Sequence, residues 1–139
     1  RKNYFTDVRF FRVLPGFVAQ FGMHGNPEVN AVWSEAGIPD EPVRQPNERG
    51  TIVFATAGPN TRSNQLFINL ADNTRLDGAG FSPIGRVVEG MDVVESINAE
   101  YGEAPDQMRI GSEGNSYLES QFPRLDYIKT AVVVSDSTS

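Results

Sequence analysis

The sequence predicts a mainly β protein built on an antiparallel sheet or a closed barrel. Strand-like segments outnumber helix-like segments, and no β-α-β alternation of the kind that builds a parallel sheet is present. The 139 residues suit one domain, and a hydrophobic content of 39% against 22% charged residues is enough for a packed core.

The first part of the chain holds a predicted hairpin and then a loop. The stretch VRFFRVLPGFVAQFG is rich in β-branched and aromatic residues, and Pro15-Gly16 interrupts it. We therefore expect two strands joined by a turn. Residues 24–49 scatter Pro, Gly, Asn and Glu throughout. We expect a long ordered loop there, with one short strand near Pro42-Val43.

Three further strands are predicted in the middle of the chain. They are GTIVFATA, NQLFINLA and FSPIGRVVEG, at residues 50–57, 64–71 and 81–90. Each is a short run of β-branched and aromatic residues bounded by Gly, Asn or Pro, which is typical of a strand.

One convincing helix follows, over residues 91–102. Its apolar residues keep helical spacing, Asp92 lies in the first turn, and Gly102 is the expected C-cap. The segment EGNSYLESQF predicts a short second helix or a turn. Residues 125–134 predict a closing strand, and the polar tail 135–139 is expected to fray.

Composition excludes several function classes. A net charge of -6 argues against a nucleic-acid partner, whose phosphates would repel the chain. There is no cysteine, which excludes disulfides, thiolate metal sites and a thiol nucleophile. One histidine, His24, cannot build a multi-histidine metal centre. No apolar run approaches the roughly 20 residues of a membrane span, so we expect a soluble protein.

The start of the chain leaves the cellular location open. It begins Arg-Lys-Asn-Tyr, without Met, and shows no signal or transit peptide. Either processing has removed a leader, as in an organellar or secretory protein, or the sequence begins inside a longer protein.

The segment AGPNTRSNQLFIN, residues 57–69, joins a polar turn abruptly to an apolar strand. Polar groups at a strand entrance can line a binding surface. Within this strand Gln65 and Phe67 are two residues apart, so their side chains are expected on one face of the sheet.

Three longer motifs of the sequence resemble those of a known protein family. The segments FFRVLPGFVAQFG, FATAGPNTRSNQLFIN and LDGAGFSPIGRVVEGMDVVESI, with the closing strand, follow the order typical of a cyclophilin. The chain resembles this family of peptidyl-prolyl cis-trans isomerases over nearly its whole length. The resemblance implies a closed antiparallel barrel of eight strands with a capping helix at each end. It also implies rotation of X-Pro bonds in protein or peptide substrates, assisting folding, without a metal or a cofactor.

The resemblance also implies a set of site residues. Arg12, the arginine of F-x-R, would be catalytic, because a fixed guanidinium can donate a hydrogen bond to the prolyl nitrogen. Gln20 would hold this arginine and touch the substrate backbone. The remaining substrate-binding residues would be an apolar pocket for the proline ring and a groove for the peptide backbone: Phe17, Val18, Phe67 and Leu76 in the pocket, and Ala55, Thr56 and Gln65 in the groove.

Several positions depart from the family pattern. Thr56 stands where the family usually has Asn, and Phe11 where it often has His. Arg75 replaces a Trp that contacts the inhibitor cyclosporin in the best-studied members, so we expect weaker inhibitor binding. The pocket His after L-D-G is missing, and Phe81 is the candidate to occupy its space.

The likeness begins late, because the first two strands and the helix of a cyclophilin have no counterpart here. We expect residues 1–134 to form an N-terminally incomplete cyclophilin-like domain. Without those elements the barrel would have open edges. The missing part is expected elsewhere in the same gene product, or a neighbouring chain fills the gap.

Two readings remain from different classes, and a third is remote. The first is an active isomerase that binds proline-containing peptides or proteins. The alternative is a non-catalytic binding or structural subunit of a larger assembly, favoured by the late start and the altered pocket rim. An unrelated small-ligand barrel would leave the order of the motifs unexplained.

Overall fold

A computed structural model describes residues 4–5, 7–34, 45–55, 64–78, 81–129 and 131. These residues form an antiparallel sheet and several short helices. The strands are β1 (Arg12–Leu14), β2 (Val18–Phe21), β3 (Thr51–Phe54), β4 (Leu66–Asn69) and β5 (Pro83–Arg86). The helices are α1 (Pro27–Ser34), α2 (Met91–Glu95), α3 (Gln107–Glu113) and α4 (Asn115–Gln121). The sheet has the order β1-β2-β4-β3-β5.

The hairpin of β1 and β2 is confirmed. Its turn contains Pro15 and Gly16, and Gly16 takes a φ of 72°, which a residue without a Cβ adopts without strain. Leu14 pairs with Val18 at the end next to the turn. All four residues of β2 are buried, because this strand lies between β1 and β4.

The three strands predicted in the middle of the chain are confirmed as β3, β4 and β5, each shorter than predicted. β4 lies between β2 and β3, and Phe67 pairs with Gln20 on one side and Val53 on the other. β5 is an edge strand of the described sheet and begins at Pro83. Proline fits there because an edge strand leaves one row of backbone groups unpaired.

The helix predicted over residues 91–102 is confirmed only in its first part, because α2 ends at Glu95. The hydroxyl of Ser96 donates to the Val93 carbonyl at 2.7 Å and closes the last turn. Gly102 is therefore not its C-cap. Its carbonyl instead accepts from the backbone N–H of Val13 in β1 at 3.1 Å, so the chain after α2 turns back onto the sheet.

The prediction of a long loop over residues 24–49 is wrong where α1 lies. Pro27 occupies the first position of this helix, where its missing N–H costs no hydrogen bond. The Asn26 side chain accepts from the Glu28 N–H at 2.9 Å and caps the start. The short strand predicted near Pro42-Val43 lies outside the described residues.

Two more helices follow the turn at Gly102. α3 had no sequence prediction; Asp106 caps it by accepting from the Met108 N–H at 2.9 Å. α4 confirms the helical alternative predicted for EGNSYLESQF. Together they bury an apolar cluster against the start of β1, formed by Phe11, Met23, Ile110, Tyr117, Leu118 and Leu125.

The predicted closing strand is described only at its beginning. Arg9 and Tyr127 form an isolated antiparallel bridge, and the Ile128 N–H donates to the Val8 carbonyl at 2.9 Å. The rest of that strand and the tail 135–139 lie outside the described residues, apart from residues 129 and 131. In the described part of the chain the sheet is open, with β1 and β5 as its edges. No helix there is long and apolar enough to cross a membrane.

Candidate active site

The sheet aligns four side chains in one row across four strands. Arg12 pairs with Gln20, Gln20 with Phe67, and Phe67 with Val53. Residues paired across antiparallel strands point to the same face. The register therefore brings the predicted catalytic arginine, a predicted amide partner and a predicted pocket wall together on one face, called here the site face.

A chain of hydrogen bonds runs from Arg12 through Gln20 to Gln65, the residue before β4. Nη1 of Arg12 donates to Oε1 of Gln20 at 3.2 Å. Nε2 of Gln20 donates to Oε1 of Gln65 at 2.7 Å. The two bonds fix the orientation of the Gln20 amide, since its oxygen faces the cation and its NH2 group faces the second amide. Gln20 therefore bonds to Arg12, and its predicted contact with a substrate backbone stays a prediction.

An ion pair adds a residue that the sequence did not indicate. Nε of Arg12 donates to Oε2 of Glu103 at 3.1 Å. The Arg12 side chain is 29% exposed, so its guanidinium is held between protein partners but still reaches solvent. Among the residues that the structure describes, Nη2 of Arg12 has no partner, which leaves this donor available to a ligand.

The apolar candidates lie beside this chain in one cluster, called here the site cluster. Its buried members are Val18, Val53 and Phe67, and its half-buried members are Phe17, Ala55, Leu76 and Phe81. Phe81 packs edge-to-face on Phe67, with ring centroids 5.8 Å apart and planes at 70°. Phe81 thus occupies a wall of the site cluster, while Val53 joins it through the strand register and was not among the predicted site residues.

Of the predicted groove residues Ala55 and Thr56, the structure describes only Ala55. The Ala55 N–H donates to the Gln65 carbonyl at 3.0 Å, so this donor is already used by the sheet. The Ala55 side chain packs in the site cluster. Thr56 lies outside the described residues, as does the turn at residues 57–63 that was expected to border the groove.

Three buried asparagines, Asn47, Asn69 and Asn73, are called here the asparagine network and border the site cluster. Nδ2 of Asn69 donates to Oδ1 of Asn47 at 3.2 Å and to Oγ1 of Thr51 at 2.8 Å. Nδ2 of Asn73 donates to Oδ1 of Asn69 at 2.9 Å. Asn47 and Asn69 are both 0% exposed, and Asn69 links the other two amides, so these buried polar groups are hydrogen-bonded as burial requires.

The asparagine network also fixes the two aromatic walls of the site cluster. Nδ2 of Asn73 donates to the Phe17 carbonyl at 2.9 Å, and Nδ2 of Asn47 donates to the Phe81 carbonyl at 2.8 Å. Asp77 accepts from both the backbone and the side-chain nitrogen of Asn47. The separation between the two phenylalanines is therefore set by directional bonds and not by apolar contact alone.

The only histidine lies outside this site. The His24 ring packs at 5.0 Å from the Tyr4 ring, and burial lowers its pKa below the ordinary value of 6.5. The ring is half-buried. Within the described ranges, no group of three or more His, Cys, Asp or Glu side chains is arranged to hold a metal.

The arrangement therefore combines a cationic donor with an accessible apolar cluster. A family model described as "Cyclophilin type peptidyl-prolyl cis-trans isomerase/CLD" matches residues 1–113. The chain belongs to the cyclophilin family. This match covers every candidate site residue on the sheet and confirms the resemblance read from the sequence motifs.

The chain is similar to several bacterial peptidyl-prolyl cis-trans isomerases. It is 36% identical over 104 residues to a peptidyl-prolyl cis-trans isomerase of Acinetobacter baylyi, a match covering 70% of this chain and 54% of the relative. It is 34% identical to a probable isomerase of Brucella abortus, covering 70% and 55%. This chain thus spans about half the length of these relatives. The match to isomerase B of Escherichia coli has 28% identity and covers 98% and 81%.

A solved cyclophilin structure shares the fold. It is a cyclophilin type peptidyl-prolyl cis-trans isomerase of Cryptosporidium parvum, crystallised in the presence of the dipeptide Ala-Pro. The TM-score is 0.59 at 22% identity, over 73% of this chain and 69% of the other. The mainly β antiparallel fold with a few helices is therefore a cyclophilin-like fold.

Proposed function

We propose that this protein is a peptidyl-prolyl cis-trans isomerase that rotates X-Pro bonds in protein or peptide substrates and so assists folding. The observation that carries the proposal is the position of Arg12 beside the site cluster, with Nη2 unpartnered among the described residues. Membership of the cyclophilin family and relatives named as isomerases support it.

The chemistry required is the weakening of one amide resonance. The C–N bond has partial double-bond character, which sets a rotation barrier of about 18–20 kcal/mol. A hydrogen bond from Nη2 of Arg12 to the prolyl nitrogen would localise the lone pair of that nitrogen and so weaken the double-bond character. A guanidinium suits this role because it stays charged and its donors are held in a rigid fork.

The other site residues would hold the peptide while the bond rotates. The site cluster would receive the proline ring between Phe17, Phe67 and Phe81, with Val18, Ala55 and Leu76 as its apolar lining. Gln20 and Gln65 would orient Arg12 and contact the peptide backbone. A thousandfold acceleration needs only about 4 kcal/mol of selective transition-state stabilisation, which a charged hydrogen bond and preorganised donors can supply.

For the whole protein we propose the closed eight-stranded barrel with capping helices. Support comes from the cyclophilin-like fold and from the two edges that β1 and β5 present in the described residues. Exposed sheet edges favour pairing with further strands. Thr56 and the turn at residues 57–63 are proposed to border the peptide groove beside Ala55.

One observation favours a second candidate, a non-catalytic cyclophilin-fold subunit of a larger assembly. Glu103 and Gln20 together engage two of the three nitrogens of the Arg12 guanidinium. If a partner held the remaining nitrogen, Arg12 would be a structural residue and X-Pro rotation would not be accelerated.

The first experiment measures the isomerisation rate of an Ala-Pro peptide by magnetisation-exchange NMR with the full-length gene product. We expect acceleration over the uncatalysed exchange, which takes tens to hundreds of seconds. Arg12→Ala should lower kcat/KM about a hundredfold, since losing one preorganised donor to a transition state costs that order. Arg12→Lys should fall between, because a single ammonium replaces the fork.

The matched control is Arg109→Ala. Arg109 is also a half-exposed arginine in an ion pair, with Glu113 on α3, and it lies outside the site cluster. Its loss should leave kcat/KM within about twofold of wild type. If wild type, Arg12→Ala and Glu103→Gln all leave the peptide at the uncatalysed rate, the proposed isomerase function is rejected. The non-catalytic subunit is then favoured.

A further inference from the structure

Arg75 places a cation on the rim of the site cluster. It lies in a 3₁₀ turn, Thr74–Leu76, and its side chain is exposed. Its guanidinium carbon lies 4.9 Å from the centroid of the Phe17 ring, within the range of a cation–π contact. The next residue, Leu76, packs inside the site cluster. The charge is therefore held against an aromatic wall and beside an aliphatic one.

The turn that carries Arg75 is anchored to the Phe17 segment. The Asn73 carbonyl accepts from the Leu76 N–H at 2.9 Å, and the Asn73 side chain donates to the Phe17 carbonyl at 2.9 Å. One buried asparagine thus holds both the start of the turn and the residue under the guanidinium. The position of Arg75 over Phe17 is built into the fold and does not depend on the arginine alone.

Arg75 has no carboxylate partner among the described residues. The two acidic residues of the same segment are engaged elsewhere: Asp72 accepts from the Arg49 N–H at 2.9 Å, and Asp77 accepts from Asn47. By contrast, the exposed Arg109 on α3 pairs with Glu113. The rim cation therefore keeps its capacity to bind an external anion.

We propose that Arg75 selects peptides that carry a carboxylate on a residue next to the proline. This inference rests on the proposed isomerase function. A proline ring packed against Phe17 places its chain neighbours beside the guanidinium, and a guanidinium binds a carboxylate through two parallel N–H donors. The chain as a whole is acidic, with a net charge of -6, so general attraction would favour basic peptides and Arg75 opposes that trend locally.

The test compares peptides that differ only beside the proline. Two series, Ala-X-Pro-Ala and Ala-Pro-X-Ala with X as Glu, Gln or Lys, are followed by magnetisation-exchange NMR. The quantity measured is the ratio of kcat/KM for Glu to kcat/KM for the uncharged isostere Gln. In at least one series we expect Arg75→Gln to lower this ratio about threefold, the size expected of an exposed ion pair. The effect should shrink at high ionic strength.

Two variants complete the design. Arg75→Lys keeps the charge and should retain part of the Glu-to-Gln ratio, which a purely structural role of Arg75 would not produce. Arg109→Gln removes a distant exposed arginine and should leave the ratio unchanged. Suppose that the Gln peptides are isomerised and that the Glu-to-Gln ratio of kcat/KM is equal in wild type and Arg75→Gln in both series. That result would overturn this inference. If no peptide is isomerised faster than without protein, the proposed function itself fails.

Discussion

The two faces of the sheet are held in different ways. On β4, Phe67 and Asn69 point to the site face, while Ile68 points to the opposite face. The opposite face is covered by apolar side chains of α2, including Met91 and Val94. The site face is instead held by the asparagine network, which donates hydrogen bonds to the backbone carbonyls of Phe17 and Phe81.

The two kinds of contact suit different requirements on the two faces. Apolar packing is non-directional and tolerates small shifts, so it suits a surface that only has to be covered. A hydrogen bond loses strength steeply when its angle or distance changes, so a buried network fixes positions. The walls of the site cluster are therefore held by the kind of interaction that preserves a binding geometry.

The largest effect is expected from breaking the asparagine network at its centre. Asn69→Ala removes the donors to Asn47 and Thr51 and the acceptor of Asn73. Buried groups left unpaired cost about 1–3 kcal/mol each, so we expect a loss of about 3–4 kcal/mol in the free energy of unfolding. Urea denaturation measures it, and KM for an Ala-Pro peptide should rise in the protein that stays folded.

The control for this change is Asn98→Ala. Asn98 also makes two side-chain donations, to Glu100 and to the Arg124 carbonyl, but both bonds lie at the solvent-exposed surface. Water replaces these bonds, so its loss should cost within about 0.5 kcal/mol. Equal costs for the two asparagines would contradict the idea that burial gives the network its role.

A smaller effect is expected on the opposite face. Ile68→Val removes one buried methylene from a side chain that is 6% exposed, which costs about 1 kcal/mol. Its contacts are with the apolar side chains of that face, including Val8 and Phe21. We therefore expect kcat/KM per folded molecule to stay at the wild-type value while the urea midpoint falls. A change in KM as large as that of Asn69→Ala would show that the two faces are not independent.

The strands could be predicted from the sequence because their side-chain patterns are local. The runs of β-branched and aromatic residues and the Pro15-Gly16 turn are visible within a few residues. Two helices were missed for physical reasons. Pro27 was taken as a loop signal although it fits the first helical position, and α3 buries only Ile110, so it has no apolar stripe.

The candidate site was only partly predictable. The positions of Arg12, Gln20 and Phe67 followed from motifs, and strand periodicity predicted that Gln65 and Phe67 share a face. Glu103 lies 91 residues from Arg12 and meets it only through the turn after α2, which no local pattern indicates. The asparagine network was equally hidden, because asparagines near turns are usually explained by turn geometry.

The smallest effect is expected from an exposed polar contact, which sharpens the contrast with the buried network. Both carboxylate oxygens of Glu100 accept from the Arg124 guanidinium, one of them from Nε at 2.7 Å. These bonds lower the pKa of Glu100 from 4.5 to about 2. A carboxylate whose pKa is lower in the folded state stabilises the fold at pH values above its unfolded-state pKa. This contribution is lost as the pH falls from about 4.5 to about 2.

We therefore expect the melting temperature of wild type to exceed that of Glu100→Gln by about 2 °C or less at pH 6. The difference should vanish near pH 2. Because both side chains are exposed, high salt at pH 6 should also reduce the difference. The melting temperature of Asn69→Ala should stay well below that of wild type at low salt and at high salt, because the bonds it loses are buried and neutral. A Glu100→Gln loss as large as that of Asn69→Ala, or one that salt leaves unchanged, would mean that exposure does not separate the two kinds of polar contact.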